Sequence, residues 1–158
     1  MPPTPFRKLA IDAPNIGLLH GTRGLIVEDS AEDMTFVIRS SEIQGADTFD
    51  LRRSITVENA IYTLEHGFIP DWMIIDFDLP NGRFGYEVAA YARRHVRPIP
   101  IAVCFSGAPV VAIVQRIEAA GLVPAAIYDA FQEKMHGSPT LLLHDIARAL
   151  GRRMGAAS

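Results

Sequence analysis

From Gly24 onward the chain repeats one unit: a short apolar run, then a segment whose apolar residues recur at helical spacing. Gly24-Leu25-Ile26-Val27 and Trp72-Met73-Ile74-Ile75 are too short for helices and apolar at successive positions. Such runs read as strands buried on both faces, the mark of a parallel sheet covered by helices. Three further strands are expected: Phe49 to Ile55, more polar and so nearer an edge, Ile99 to Phe105, and Ala125 to Asp129. The helices between them carry their own punctuation. Ser30 caps the first, with Met34, Val37 and Ile38 on one face and Gly45 closing it. Thr56 caps the second, with Val57, Ile61 and Leu64 inward and Gly67 and Pro70 past its end. Tyr86 to His95 is the third, reached through the turn Leu79-Pro80-Asn81-Gly82. Pro109 opens the fourth, with Val110, Val114 and Ile117 as its buried stripe and Gly121 at its end. Ser138-Pro139 opens the fifth, where Leu142, Ile146, Ala149 and Leu150 face inward and Arg148, Arg152 and Arg153 complement the dipole at its end. Five strands alternating with five helices predict an α/β domain: a doubly wound, five-stranded parallel sheet with helices on both faces. It spans 23–153, after an N-terminal arm over 1–22 punctuated by Pro2, Pro3, Pro5, Pro14, Gly17 and Gly21, and before a tail over 154–158.

Composition narrows what such a domain does. The single cysteine, Cys104, excludes an internal disulfide and any site built from two or four cysteines, and its place inside a strand makes it a buried small hydrophobe. Fifteen basic residues against eighteen acidic give a net charge of −3, which argues against a nucleic-acid partner. Arg93, Arg94 and Arg97 form a small basic cluster that reads as a solvated helix end. His20, His66, His95, His136 and His144 have no metal-ligand spacing. The eighteen uncharged residues from Pro98 to Gln115 reach the minimum for a membrane span, but Pro98, Pro100, Gly107 and Pro109 cut them into a strand, a turn and a helix start. After Arg7 and Lys8 comes Leu-Ala-Ile and then Asp12, with no apolar leader core. The expectation is a soluble cytoplasmic protein with no membrane or nucleic-acid partner.

In an open parallel α/β sheet, ligands bind beyond the carboxyl ends of the strands. The residues at those ends are Glu28-Asp29 after the first strand, Asp76-Phe77-Asp78 after the third, Ser106-Gly107 after the fourth and Tyr128-Asp129 at the fifth. Three carboxylates at one rim repel one another, and a divalent cation relieves that repulsion. Hard oxygen ligands that leave positions for water and phosphate suit Mg²⁺, bound weakly. A carboxylate beside the cation can attack a phosphoryl group and form an acyl phosphate.

Val27-Glu28-Asp29-Ser30, Ile74-Ile75-Asp76-Phe77-Asp78-Leu79-Pro80-Asn81-Gly82 and Val103-Cys104-Phe105-Ser106-Gly107 together resemble a response-regulator receiver domain over roughly residues 23–153. The resemblance implies the flavodoxin-like strand order 2-1-3-4-5. It implies Asp76 as phosphoacceptor, Glu28, Asp29 and Asp76 as Mg²⁺ ligands with the backbone carbonyl of Asp78, Ser106 as the hydroxyl that senses the phosphoryl group, and Tyr128 as the switch aromatic. It also implies a single-domain response regulator of a two-component phosphorelay. Such a protein is not an enzyme acting on outside substrates. It is phosphorylated by a histidine kinase or histidine phosphotransfer protein and signals by altered binding to a downstream protein. The segment from Ala108 to Tyr128 carries only Arg116 and Glu118 as charges, so the face of the fourth helix, fifth strand and fifth helix is a candidate for a homodimer or partner.

The chain departs from the family in one place. The usual Lys-Pro after strand 5 is missing from Ile127-Tyr128-Asp129-Ala130-Phe131-Gln132-Glu133-Lys134. With the strand ending at Asp129, Lys134 falls too late and is expected to stay away from the phosphoryl site. That leaves two alternatives open: a degenerate receiver acting as a phosphorylation-independent interaction module, and a phosphatase of the haloacid-dehalogenase type using Asp76-Phe77-Asp78.

Overall fold

Strand β1 (Arg23–Val27) forms the spine of the sheet because it is apolar on both faces and pairs on both edges. It lies between β2 (Asp50–Ser54) and β3 (Trp72–Ile75); β4 (Ile101–Ser106) and β5 (Ala130–Glu133) complete the order β2-β1-β3-β4-β5, all parallel. The computed structural model describes residues 19, 21–33, 35, 50–134 and 139–157. Helices α1 (Val57–Glu65), α2 (Tyr86–His95), α3 (Val110–Ala119), the short α4 (Pro124–Ile127) and α5 (Pro139–Ala157) connect or cover the strands. Ser30 receives the Asp33 amide at 3.2 Å, and residues 31–33 and 35 are helical. Met34, Val37, Ile38, Gly45 and Phe49 lie outside the described residues.

Strand alternation divides the core in two. Leu25, Val27, Met73, Ile75, Ala102 and Cys104 face α1, α2 and α3, where Val57, Ala60, Val88, Ala89, Ala92, Ile113 and Ile117 are buried. Ile26, Trp72, Ile74, Ile101, Val103 and Phe105 face α5, against Leu143, Ile146 and Ala147. Leu19, inside the expected arm, is fully buried in this second layer. Thr56 caps α1 as expected, accepting the Asn59 amide at 3.0 Å.

Several boundaries differ from expectation. The fifth strand is Ala130–Glu133, not Ala125 to Asp129. Pro124 starts a helical turn instead, which takes up Ala125 to Ile127. The buried stripe of α3 is Ile113 and Ile117, with Val110 and Val114 only half-buried. Helix α5 runs on to Ala157, so Arg148, Arg152 and Arg153 stand before its last turn. Arg148 pairs with Asp145 at 3.7 Å and Arg153 donates to the Ile99 carbonyl. The uncharged stretch from Pro98 divides into β4, a turn and α3, and among the described residues no helix is long and apolar enough to cross a membrane.

The loop between β3 and α2 is tightly laced. The Leu79 amide donates to the Arg83 carbonyl at 3.1 Å, and the Gly85 amide to the Phe77 carbonyl at 2.7 Å. Arg83 grips Glu87 at 2.9 Å and Glu58 of α1 at 2.6 Å. Gly85 is required by close approach: a Cβ there would lie 2.0 Å from the Asp76 carbonyl oxygen and 2.7 Å from the Ile75 Cγ2. Backbone and a packed core side chain cannot yield cheaply. Gly85→Ala is therefore expected to destabilise the fold by about 1–3 kcal/mol, read as a lower urea midpoint with an unchanged m-value.

Candidate functional site

A parallel sheet brings all its carboxyl ends to one rim, and here the hydrogen-bond ladder continues one residue beyond the strands. The Glu28 amide donates to the Ser54 carbonyl at 2.9 Å, the Asp76 amide to Val27 at 2.8 Å and the Lys134 amide to Ser106 at 2.8 Å. Three side chains that carry charge are thus fixed at their backbones by the ladder itself. Carboxylate oxygens of Glu28, Asp29 and Asp76 all lie within 4.8 Å of one another, with Glu28 and Asp76 buried and Asp29 exposed. This brings together the three acidic residues expected from the sequence.

Asp76 is 7% exposed. Its Oδ1 accepts the Phe77 amide at 2.8 Å, and its Oδ2 faces the Lys134 ammonium at 3.4 Å. Ser106, at the end of β4, is buried, and its Oγ accepts the Ala108 amide at 3.3 Å. Burial raises the Asp76 carboxyl above its usual range; the Lys134 charge and hydrogen bonds from Glu28, the Phe77 amide and Ser106 pull it back. Asp78 is exposed and pairs with Phe84 in an isolated antiparallel bridge.

Lys134 overturns one expectation. Its Nζ donates to Glu28 Oε2 at 2.8 Å, to Asp33 Oδ2 at 2.8 Å and to Asp76 Oδ2 at 3.4 Å, and lies 5.6 Å from the centre of the Phe105 ring. The lysine is not late. The strand was expected to end four residues too early, and Lys134 directly follows the real β5. Burial alone would lower its pKa, but the hydrogen bonds it donates to Asp33 and Glu28 and the charges of Asp76 and Glu28 raise it. The signal that could have placed it was Pro124, a helix starter ahead of a half-buried strand with no apolar run. Asp33, three residues after the capping Ser30, was also missed.

Tyr128 is misplaced by the same error. It precedes β5, buried, with its ring 5.1 Å from that of Phe131, which is the aromatic residue within the strand. Asp129 accepts the Ala102 amide at 2.8 Å and pairs with Arg93 at 3.1 Å, so that arginine is structural. Cys104 is buried, and desolvation pushes its thiol up to about 12, which leaves it unreactive.

The donor set is hard oxygen, clustered and partly open to solvent. Its chemistry fits a hard metal cation, which Glu28, Asp29 and Asp76 could hold.

The chain aligns over 86% of its length with 99% of the N-terminal domain of a response regulator/sensory box/GGDEF three-domain protein from Carboxydothermus hydrogenoformans (TM-score 0.66, 20% identity). It aligns over 85% of its length with 98% of a response regulator receiver protein from Sinorhizobium medicae (TM-score 0.64, 21% identity). The fold is that of a response-regulator receiver domain. A third receiver, BeF3-activated DrrB, matches over 82% of this chain and 97% of its own (TM-score 0.62, 18% identity). No family model matches the sequence, and no curated protein does. The receiver fold is therefore carried here by a sequence far from the receivers it superposes on.

The acidic rim predicts a pH dependence. Desolvation lifts Glu28 from 4.5 to about 7; the Asp76 charge adds to the rise, and hydrogen bonds from Lys134 and the Ser30 amide oppose it. A carboxyl whose folded pKa exceeds its unfolded value binds its proton more tightly in the fold. Its stabilising contribution is whole below pH 4.5 and is lost as pH rises through about 7. Without divalent cation, Glu28→Gln is expected to flatten this fall and to stabilise the protein above pH 7 by on the order of 2 kcal/mol, measured by urea unfolding at both ends of the range.

Proposed function

We propose that this chain is a response-regulator receiver in which Asp76 accepts a phosphoryl group. The observation that carries the proposal is the Lys134 ammonium beside Glu28 and Asp76 at the carboxyl rim. It supplies the cation whose apparent absence had favoured a degenerate receiver. Asp76 Oδ2 is the natural nucleophile, because Oδ1 is tied to the Phe77 amide. It attacks the phosphorus of a phosphohistidine on a histidine kinase or phosphotransfer protein; the P–N bond breaks and a P–O bond forms, giving an aspartyl phosphate. Mg²⁺ bound by Glu28, Asp29, Asp76 and the Asp78 carbonyl would neutralise charge on the phosphoryl oxygens. Lys134 and the Ser106 hydroxyl would pair with those oxygens, and such charge-assisted bonds are the strong ones.

The reaction stops at the protein's own aspartate, so the chain acts as a cytoplasmic signal acceptor and not as an enzyme. The phosphatase alternative needs Asp78 as acid and base, yet Asp78 is exposed and lies outside the carboxylate cluster. Output is altered binding to a downstream protein or a second copy. The face of α3, β5 and α5 is the candidate for that role, with Val111 of α3 69% exposed.

Incubation with Mg²⁺ and a small acyl-phosphate donor is expected to add one phosphoryl mass, seen in the intact protein and lost in Asp76→Asn. Labelling at Asp78, or steady turnover of phosphate esters without an adduct, would overturn the assignment. BeF3, the ligand of the activated DrrB receiver, is a stable probe of the same state. Lys134→Ala should leave Asp76 open to labelling but weaken the conformational response by about 1.5–3 kcal/mol, measured as the change in stability that BeF3 produces in each protein.

A further inference from the structure

Lys134 has three carboxylate partners, and they are not equivalent. Glu28 and Asp76 belong to the group that can hold a divalent cation. Asp33 does not, yet it approaches the ammonium as closely as Glu28 does, at 2.8 Å, and closer than Asp76 at 3.4 Å. Asp33 also lies further out. Its side chain is 41% exposed, against 5% for Glu28 and 9% for Asp76. Its position is built in: the Ser30 amide donates to Glu28 Oε1 at 3.1 Å, and the Asp33 amide to Ser30 Oγ at 3.2 Å. Glu28, Ser30, Asp33 and Lys134 thus close a ring of hydrogen bonds.

The ammonium lies on Glu28 Oε2 and Asp76 Oδ2, two of the three carboxylates of the group that can hold a divalent cation. Two positive charges on the same carboxylates would repel, and a hard dication held there would bind those oxygens more strongly than the ammonium does. The ammonium must give way, and the remaining partner within its present reach is Asp33, on the solvent side. We propose that Asp33 is a positioning residue that retains the Lys134 ammonium at the rim of the site when a divalent cation occupies Glu28 and Asp76. This rests on the cation reading above and adds to it a holding point for the lysine. Without Asp33, a cation-loaded site would release Lys134 to solvent; with it, the lysine waits beside the position of the incoming phosphoryl oxygens.

The test follows the lysine itself. In full-length, isotopically labelled protein, the Lys134 Nζ–H signal is observed by NMR during titration with Mg²⁺ alone, and the amides of Asp29 and Asp76 report binding. In the wild type the ammonium signal is expected to shift but persist at saturating Mg²⁺. In Asp33→Asn it is expected without Mg²⁺, held by Glu28 and Asp76, and lost at saturation. Asp33→Glu should restore it. Persistence in Asp33→Asn at saturating Mg²⁺, or loss in the wild type while the amides shift, overturns the role of Asp33 alone. Amides that do not respond to Mg²⁺ overturn the cation reading and this proposal with it.

Discussion

The parallel ladder carries its hydrogen bonds one residue past the strands, and the site depends on that extension. Glu28, Asp76 and Lys134 each donate a backbone amide to the last residue of a neighbouring strand. Their backbones are therefore as fixed as the sheet, and only side-chain torsions separate one arrangement of the charges from another. The two core layers serve this end. Packing α1, α2 and α3 on one face and α5 on the other buries the strands from both sides, so the charged residues emerge only where the strands stop.

That geometry forces an electrostatic compromise. Glu28, Asp33 and Asp76 crowd around one ammonium, Asp29 lies beside Glu28 and Asp76, and two of the four carboxylates are nearly removed from water. Burial of ionised groups is costly unless they are paired. The cost appears as the raised proton affinity of Glu28 and Asp76 and is offset in part by Lys134. Such a cluster is under-neutralised by design of its sequence, and a cation or a proton satisfies it more fully than the lysine alone.

Much of this was legible in the chain. The uniformly apolar runs of β1 and β3 marked central parallel strands, and the ends of those strands marked Glu28, Asp29 and Asp76 without further help. The edge strand was not legible. β5 reads Ala-Phe-Gln-Glu, with all four residues half-buried, and it is the last strand of the order β2-β1-β3-β4-β5 among the described residues. The apolar stretch just before it offered a more convincing pattern, and Pro124 turns that stretch into a helical turn. A displacement of a few residues at one edge was enough to hide the lysine and to promote Tyr128. Asp33 left no trace as a contact, because its pairing with Lys134 joins residues 101 apart in the chain.

Gly85 has a mechanical meaning as well as a steric one. With no side chain, its Cα faces the Asp76 carbonyl directly, and its amide is bonded to Phe77. It also forms the first cap of α2, the helix clamped to α1 through Arg83, Glu87 and Glu58. No slack lies between the Asp76 peptide and the start of that helix. A rotation of the Asp76 peptide would press straight onto the start of α2, like a gear without backlash.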